Sequence, residues 1–114
     1  IWAFTKSAAG RFVDTNCRDY GFIVRYPSYG EKQTGIPYEP WHLRYVGLPH
    51  SQIIMDEYLT LEEYIDLLKP GSFYQYGSYL ISHQNGRVID APSGWKHVTV
   101  SEDNLGGYLF TWEL

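Results

Sequence analysis

The sequence predicts an α+β fold, in which helices pack on a small antiparallel sheet and a β-rich extension follows at the C-terminal end. Apolar residues recur at helical spacing through much of the chain up to Leu68. Two short runs of β-branched and aromatic residues interrupt them, which is typical of strands. From Tyr74 onward the apolar period falls towards two and glycine-containing turns become frequent, which indicates short antiparallel strands.

The first helix is predicted over residues 7–20. Ser7 can cap its N-terminus, and Gly21 stands where a glycine in the left-handed conformation commonly follows a helix. Cys17 is the only cysteine and cannot form an internal disulfide, so we interpret it as a small core residue rather than a nucleophile. The predicted apolar face consists of Ala9, Phe12, Val13, Cys17 and Tyr20.

Two strands and two helices are predicted next, with a loop over residues 28–37 between the strands. Thr60 and Glu63 have the spacing of a capping box, in which each side chain bonds the other residue's backbone at a helix start. The apolar face of that helix consists of Leu61, Tyr64, Ile65 and Leu68. The predicted strands span residues 22–26 and 42–46, and the predicted helices span residues 49–57 and 60–68.

A domain boundary is predicted at the Pro70-Gly71 pair. Residues 1–70 would form one domain, and residues 71–114 would form the β-rich extension. Turn signals divide that extension, and the clearest is Asn85-Gly86, the preferred pair for a two-residue hairpin turn. The strands predicted there lie near residues 76–83, 87–91, 97–101 and 107–113.

Composition excludes some classes of partner. The formal net charge is −4, and the nine basic residues are dispersed, whereas nucleic-acid binding calls for a basic patch. No apolar run approaches the length of a membrane-spanning helix. Eleven tyrosines and four tryptophans suit either a small core or a surface for carbohydrate or peptide, and we favour core packing for most of them.

The segment of residues 38–47 holds the most informative polar side chains. Glu39 and His42 lie three positions apart around the pair Pro40-Trp41. Pro40 has no N–H and cannot be an internal rung of a sheet, so a turn is expected that brings both side chains to the same side. An imidazole can ligate zinc, and a carboxylate can accept a proton from a water that the metal activates. Taken alone, the spacing favours a surface carboxylate and a packed histidine over a catalytic pair.

Separated motifs occur in a recognisable order along the first part of the chain. They are Gly10-Arg11-Phe12-Val13, Asn16, Tyr20-Gly21-Phe22-Ile23-Val24-Arg25-Tyr26-Pro27, Thr34-Gly35-Ile36 and the segment of residues 38–47. In this order they resemble the C-terminal half of VanY-type D-alanyl-D-alanine carboxypeptidases, which are zinc peptidases of the bacterial cell wall. The resemblance covers roughly residues 7–70, and we expect the residues after Pro70 to lie outside it.

The resemblance implies roles for four residues. Glu39 would be the catalytic base and His42 one of three zinc ligands, while Trp41 and Tyr38 would either line the substrate pocket or brace the loop. It implies Zn²⁺ as the cofactor of the complete enzyme and a peptidoglycan stem peptide ending in D-Ala as the substrate. L,D-carboxypeptidases and endolysin-type peptidases share the same arrangement. An extracytoplasmic location, in the bacterial cell envelope or secreted, is implied as well.

The resemblance also implies an upstream motif, Ser-x-His-x-x-Gly-x-Ala-x-Asp, that supplies the other two zinc ligands, and an arginine before it. We expect this chain to be a fragment that lacks both and is inactive alone. The missing N-terminal half, or a second chain, is expected to pair with sheet edges that the fragment exposes. A non-catalytic module that binds cell-wall polymer is the alternative from another class.

His83 and Asp90 reproduce part of that upstream spacing, but after Glu39 and His42 rather than before them. One interpretation is a permuted order of the same metal site. The other, which we favour, is a hairpin around Asn85-Gly86, in which His83 faces Val88 and no metal is bound.

Overall fold

Two antiparallel sheets are found among residues 2–86, 91–94, 96–103 and 105–113, which the computed structural model describes. Strands β1 (Phe22–Val24) and β2 (Leu43–Tyr45) form the first sheet. Strands β3 (Phe73–Tyr76), β4 (Tyr79–Gln84), β5 (Lys96–Glu102) and β6 (Tyr108–Glu113) form the second, in the order β3-β4-β6-β5. The helices are α1 (Trp2–Lys6), α2 (Ala8–Asn16), α3 (Glu31–Thr34), α4 (His50–Asp56) and α5 (Leu61–Leu67). The predicted α+β class is confirmed.

The chain divides into two compact units, Ile1–Tyr64 and Ile65–Leu114. The first unit holds the β1–β2 sheet with helices α1 to α4, and the second holds the four-stranded sheet. Helix α5 contains the point of division. The boundary that we predicted at Pro70-Gly71 lies inside the second unit and stays a prediction.

The predicted N-terminal helix is confirmed at both ends but is not continuous. Ser7 caps α2, because its Oγ accepts a hydrogen bond from the Gly10 N–H at 2.9 Å. A 3₁₀ helix, Cys17–Tyr20, follows α2, and Gly21 ends it with a φ of 87°. Tightening of the last turn into a 3₁₀ helix is common where backbone carbonyls lack further helical donors.

The apolar face predicted for this helix is largely wrong. Cys17 is buried, as expected for a core residue, but Phe12 and Tyr20 are exposed. Helix α1, which precedes Ser7, was not predicted either. The Gly10 Cα lies against the backbone carbonyl of Phe4 in α1, where an added Cβ would clash. The helix therefore turns a small residue, rather than its aromatic ones, towards its neighbour.

The structure around helix α5 follows the prediction closely. The capping box is confirmed at the start of α5, where the Thr60 N–H donates to Glu63 Oε1 at 2.9 Å and the Glu63 N–H donates to Thr60 Oγ1 at 3.1 Å. Tyr64, Ile65 and Leu68 are buried, as their helical spacing predicted. The predicted loop over residues 28–37 contains the short helix α3, which begins after Gly30.

The second unit differs from the prediction in its pairing. A turn at Gly77 divides the predicted strand of residues 76–83 into β3 and β4. His83 pairs with Leu109 on β6, and its carbonyl accepts the Gly71 N–H at 2.8 Å. Its predicted partner Val88 falls outside the described residues. Residues 87–90 lie outside the described residues. Ile81, Leu109, Phe110 and Trp112 form the buried core of this sheet.

Strand β5 lies at the edge of the described sheet and is irregular. A register shift separates Lys96 from Val98 in its pairing with β6, and His97 between them has a φ of 52°. Such a bulge places two residues opposite one and increases the local twist. The described side chains from His97 to Glu102 are all exposed.

No helix of the described residues is both long and apolar enough to span a membrane.

Candidate active site

Glu39 and His42 stand at the two ends of a tight turn. The His42 N–H donates to the Glu39 carbonyl at 3.0 Å, which closes a four-residue turn with Pro40 at the position where its fixed φ is favoured. The two side chains point the same way, and His42 Nδ1 lies 3.0 Å from Glu39 Oε1. The prediction that both side chains share one side of the turn is confirmed.

The backbone of β1 and the residues after it hold this turn in place. The Arg25 N–H donates to the His42 carbonyl at 2.8 Å, and the Glu39 N–H donates to the Tyr26 carbonyl at 2.9 Å. Pro27 follows at once, so the strand cannot continue past the turn. The predicted strand of residues 22–26 is therefore shorter in the structure, because the backbone of its last two residues bonds to the Glu39–His42 turn.

A second layer of side chains lies behind His42. The Tyr26 ring meets the His42 ring edge-on, with centroids 5.2 Å apart and planes at 78°. The Arg25 guanidinium lies 4.6 Å from the centre of the Tyr26 ring. Glu62 on α5 accepts two hydrogen bonds from that guanidinium, at 2.9 and 2.7 Å. This hydrogen bonding raises the pKa of Arg25 and lowers the pKa of Glu62.

The turn is accessible from solvent. The His42 side chain is 45% exposed and the Glu39 side chain 31%. Trp41 between them is exposed as well. Tyr38 is partly buried, and that burial raises the pKa of its hydroxyl. The structure places Tyr38 and Trp41 beside the predicted base and ligand, and their part in substrate binding stays a prediction.

The donor set at the turn fits part of a zinc site. A catalytic zinc takes three protein ligands and keeps one position for water or substrate. With Nδ1 of His42 directed at Glu39, the lone pair on Nε2 is the one that a metal could use. The described residues contain no group of three histidine, cysteine, aspartate or glutamate side chains that could hold a metal ion. They therefore supply one imidazole ligand and one proton acceptor, and not a full set.

His83 has a buried partner that the sequence analysis missed. Its Nε2 lies 2.6 Å from Asp103 Oδ2, and its Nδ1 lies 2.7 Å from the Leu68 carbonyl. Both ring nitrogens therefore face protein acceptors instead of a metal. Asp90, the partner weighed in the permuted-site interpretation, lies outside the described residues.

Asp103 is held as a carboxylate by three donors. Burial opposes its ionisation, but hydrogen bonds from His83 and from the N–H groups of Leu105 and Gly107 keep its pKa below the ordinary value. The only sequence signal was an aspartate shortly before Gly106-Gly107, where it can bond the backbone of a turn.

His50 is buried at the start of helix α4. It is 4% exposed, and its Nδ1 lies 2.6 Å from the Tyr64 hydroxyl. Burial lowers the pKa of His50 to about 4. The residue belongs to the core of the first unit, together with Ile54 and Met55 on the same helix.

We expect His50 to make the folded chain less stable in acid. In the unfolded chain His50 takes up a proton near its ordinary pKa of about 6.5, whereas in the folded chain it does so only at about 4. The unfolded state binds more protons between these values, so the free energy of unfolding should fall by about 3 kcal/mol as the pH drops from 7 to 4. Urea unfolding followed by circular dichroism measures it.

The matched variants for this measurement are His50→Gln and His97→Gln. His97 is exposed, so its replacement should keep the wild-type loss of stability. His50→Gln should remove most of it. An equal pH dependence in both variants would contradict the assignment.

Comparisons with known proteins bear on the same residues. Residues 2–48, which contain the whole turn, match the model of the VanY family, described as D-alanyl-D-alanine carboxypeptidase. A D-alanyl-D-alanine carboxypeptidase of Enterococcus faecium is 36% identical over 115 residues, which cover 93% of this chain and 37% of that protein. The chain therefore spans just over a third of the length of this relative. Since the alignment extends past Pro70, the expectation that the resemblance ends there is wrong.

Solved structures agree with the sequence relatives. The vancomycin-resistance D,D-dipeptidase VanXYg, solved in complex with a D-Ala-D-Ala phosphinate analogue, matches 96% of this chain and 48% of its own, with a TM-score of 0.80 and 29% identity. The LdcB LD-carboxypeptidase matches 59% of this chain and 31% of its own, with a TM-score of 0.56 and 51% identity. Together these findings confirm the resemblance of this chain to the VanY-type D-alanyl-D-alanine carboxypeptidases.

Proposed function

We propose that this chain carries the catalytic base and one metal ligand of a zinc-dependent D,D-carboxypeptidase that acts on peptidoglycan stem peptides ending in D-Ala. The observation that carries the proposal is the Glu39–His42 turn, which aligns a carboxylate and an imidazole at 3.0 Å on an accessible surface. The match of residues 2–48 to the VanY family supports it.

Glu39 would accept a proton from the attacking water while the water oxygen bonds to the peptide carbonyl carbon. The same carboxyl group would then give the proton to the departing amine as the C–N bond breaks, which releases D-alanine. His42 contacts Oε1, so we assign Oε2 to the water. A zinc ion held in part by His42 would make that water more acidic and polarise the carbonyl. The exposed Trp41 and the neighbouring Tyr38 would contact the substrate.

Specificity for an L,D bond is a second candidate, because the LD-carboxypeptidase LdcB is 51% identical over the part that it matches. An endolysin-type peptidase belongs to the same class of reaction. The candidate from another class is a cell-wall-binding module without activity, in which the extension of residues 71–114 contacts the polymer. We propose an extracytoplasmic location, which fits a substrate that belongs to the cell wall.

A chimera tests the proposal. Residues 2–114 would replace the aligned part of the Enterococcus faecium carboxypeptidase, and release of D-alanine would be measured with D-Ala-D-Ala and L-Lys-D-Ala termini, with and without zinc. Zinc-dependent release that His42→Ala abolishes supports the proposal, and the preferred terminus decides between D,D and L,D activity. A folded chimera that is inactive on both termini favours the binding module.

The isolated chain should show little or no hydrolysis. One imidazole does not complete a three-ligand catalytic site, and the described residues offer no further group of three. Release of D-alanine by the purified chain is expected to stay at the level of a blank with zinc present. Robust zinc-dependent release would show that the chain completes the site alone. In that case the permuted arrangement would be favoured. We propose that the full metal site forms when this chain pairs with an N-terminal half or with a second chain.

A further inference from the structure

We propose that Arg25, clamped by Glu62, is a positioning residue that fixes the ring of His42 through Tyr26. The inference rests on the proposed function, because a fixed orientation of the His42 ring matters only where the imidazole serves as a metal ligand. Its geometry is independent of that function. No described hydrogen bond or ring contact joins the side chain of Arg25 or Glu62 to Glu39, so both side chains would act on the site indirectly, through Tyr26.

The contacts form an unbroken series. Glu62 holds the Arg25 guanidinium with two hydrogen bonds of 2.9 and 2.7 Å. The guanidinium lies 4.6 Å from the centre of the Tyr26 ring, within the range of a cation–π contact. At the other end of the series, the Tyr26 ring contacts the His42 ring edge-on, with the ring centroids 5.2 Å apart.

His42 needs such support because its surroundings are open. Its side chain is 45% exposed, and a ring with solvent on one side can rotate about its bond to the backbone. The turn fixes the backbone of His42, whereas the ring has only Glu39 and Tyr26 as described contacts. A change in the angle of the Tyr26 ring would therefore carry over to the direction of Nε2.

The clamp defines the orientation of the Arg25 guanidinium. A guanidinium that bonds both oxygens of one carboxylate has a defined plane. The Arg25 side chain is 15% exposed, so its plane is further limited by packing. Arg18 and Asp56 in the same unit form a comparable ion pair through a single nitrogen, without a ring stacked beside it among the described contacts.

Arg25→Met in the full 114-residue chain tests the inference without substrate. NMR would measure the nuclear Overhauser effect between the Tyr26 and His42 rings in this chain. The Kd of Co²⁺ would be measured by visible absorption in the chimera, which supplies the remaining ligands. We expect the Overhauser intensity to fall by at least half. The Kd for Co²⁺ should rise about tenfold, the low end for loss of a residue that orients a ligand. His97, which is exposed, serves as the reference within each spectrum.

Arg18→Met is the matched control, because it removes an ion pair of the same unit and should leave both His42 signals unchanged. Arg25→Lys keeps the charge but not the two-point contact and should restore only part of each signal. If Arg25→Met does not fold, Glu62→Gln gives the same comparison.

Full ring contact and unchanged Co²⁺ affinity in a folded Arg25→Met or Glu62→Gln variant would overturn the inference. An inactive chimera combined with the expected NMR changes would instead count against the proposed function alone. The two failures are therefore distinguishable.

Discussion

Replacing Glu39 with glutamine in the chimera is expected to lower kcat for D-alanine release by about 10²–10⁴-fold, the usual contribution of a general base. Glutamine keeps the size of the side chain and can still meet Nδ1 of His42, which lies 3.0 Å from the carboxylate. It cannot accept the proton of the attacking water. KM should change little, because the carboxylate is assigned to the reaction rather than to binding. Steady-state assays of D-alanine release give both constants.

The control is Glu31→Gln on α3, which removes an exposed carboxylate of the same unit. Its kcat should stay within about twofold of the parent chimera, as expected for a surface change away from the chemistry. Retention of full activity by Glu39→Gln would show that another group takes the proton. Glu39 would then be an orienting partner of His42.

Replacing Asp103 with alanine is expected to lower the free energy of unfolding of the second unit by about 3–5 kcal/mol, the range for removing one partner of a buried pair. The change leaves His83 buried with Nε2 facing no acceptor. It also removes the acceptor of the Leu105 and Gly107 N–H groups. Urea unfolding at neutral pH measures the loss.

Glu102→Ala, at the exposed neighbouring position, should change the free energy of unfolding by less than about 0.5 kcal/mol. Asp103→Asn should lie between the two, because the amide oxygen can still accept one bond. A loss in Asp103→Ala no larger than in Glu102→Ala would show that the His83–Asp103 contact contributes nothing net.

The pH range in which stability is lost distinguishes the His83–Asp103 pair from His50. Because hydrogen bonds lower the pKa of Asp103 in the folded chain, its contribution is present above the ordinary aspartate pKa of about 3.9 and is lost as the pH falls below it. The His50 contribution is lost earlier, between about 6.5 and 4. Loss of stability above pH 4.5 should therefore persist in Asp103→Ala and disappear in His50→Gln.

Features set by neighbouring residues were predictable from the sequence. The Glu39–His42 turn follows from Pro40, which limits its own φ and the conformation of Glu39 before it. The Thr60–Glu63 capping box and the Gly21 helix end are likewise local, and all three occur in the structure. Such interactions join residues three or four positions apart. The sequence alone therefore indicates which atoms can form a hydrogen bond.

Contacts between distant parts of the chain were not predictable in this way. Arg25 and Glu62 are 37 residues apart, and His83 and Asp103 are 20 apart. Asn85-Gly86 suggested a local partner for His83, whereas the described partner of His83 is Leu109 on β6. A turn signal gives the place where a chain can reverse, whereas strand pairing depends on which apolar faces can be buried together.

The exposed edge strand β5 is expected to be the part of the four-stranded sheet that unfolds first. Its described side chains from His97 to Glu102 are exposed, so backbone hydrogen bonds to β6 provide most of its attachment. Val98 and Val100 on this strand are both 53% exposed, so β5 itself gives up little buried apolar surface when it separates from β6. A protease would therefore find its first cleavage points along β5, and the amide protons of β5 would exchange with solvent well before those of β4.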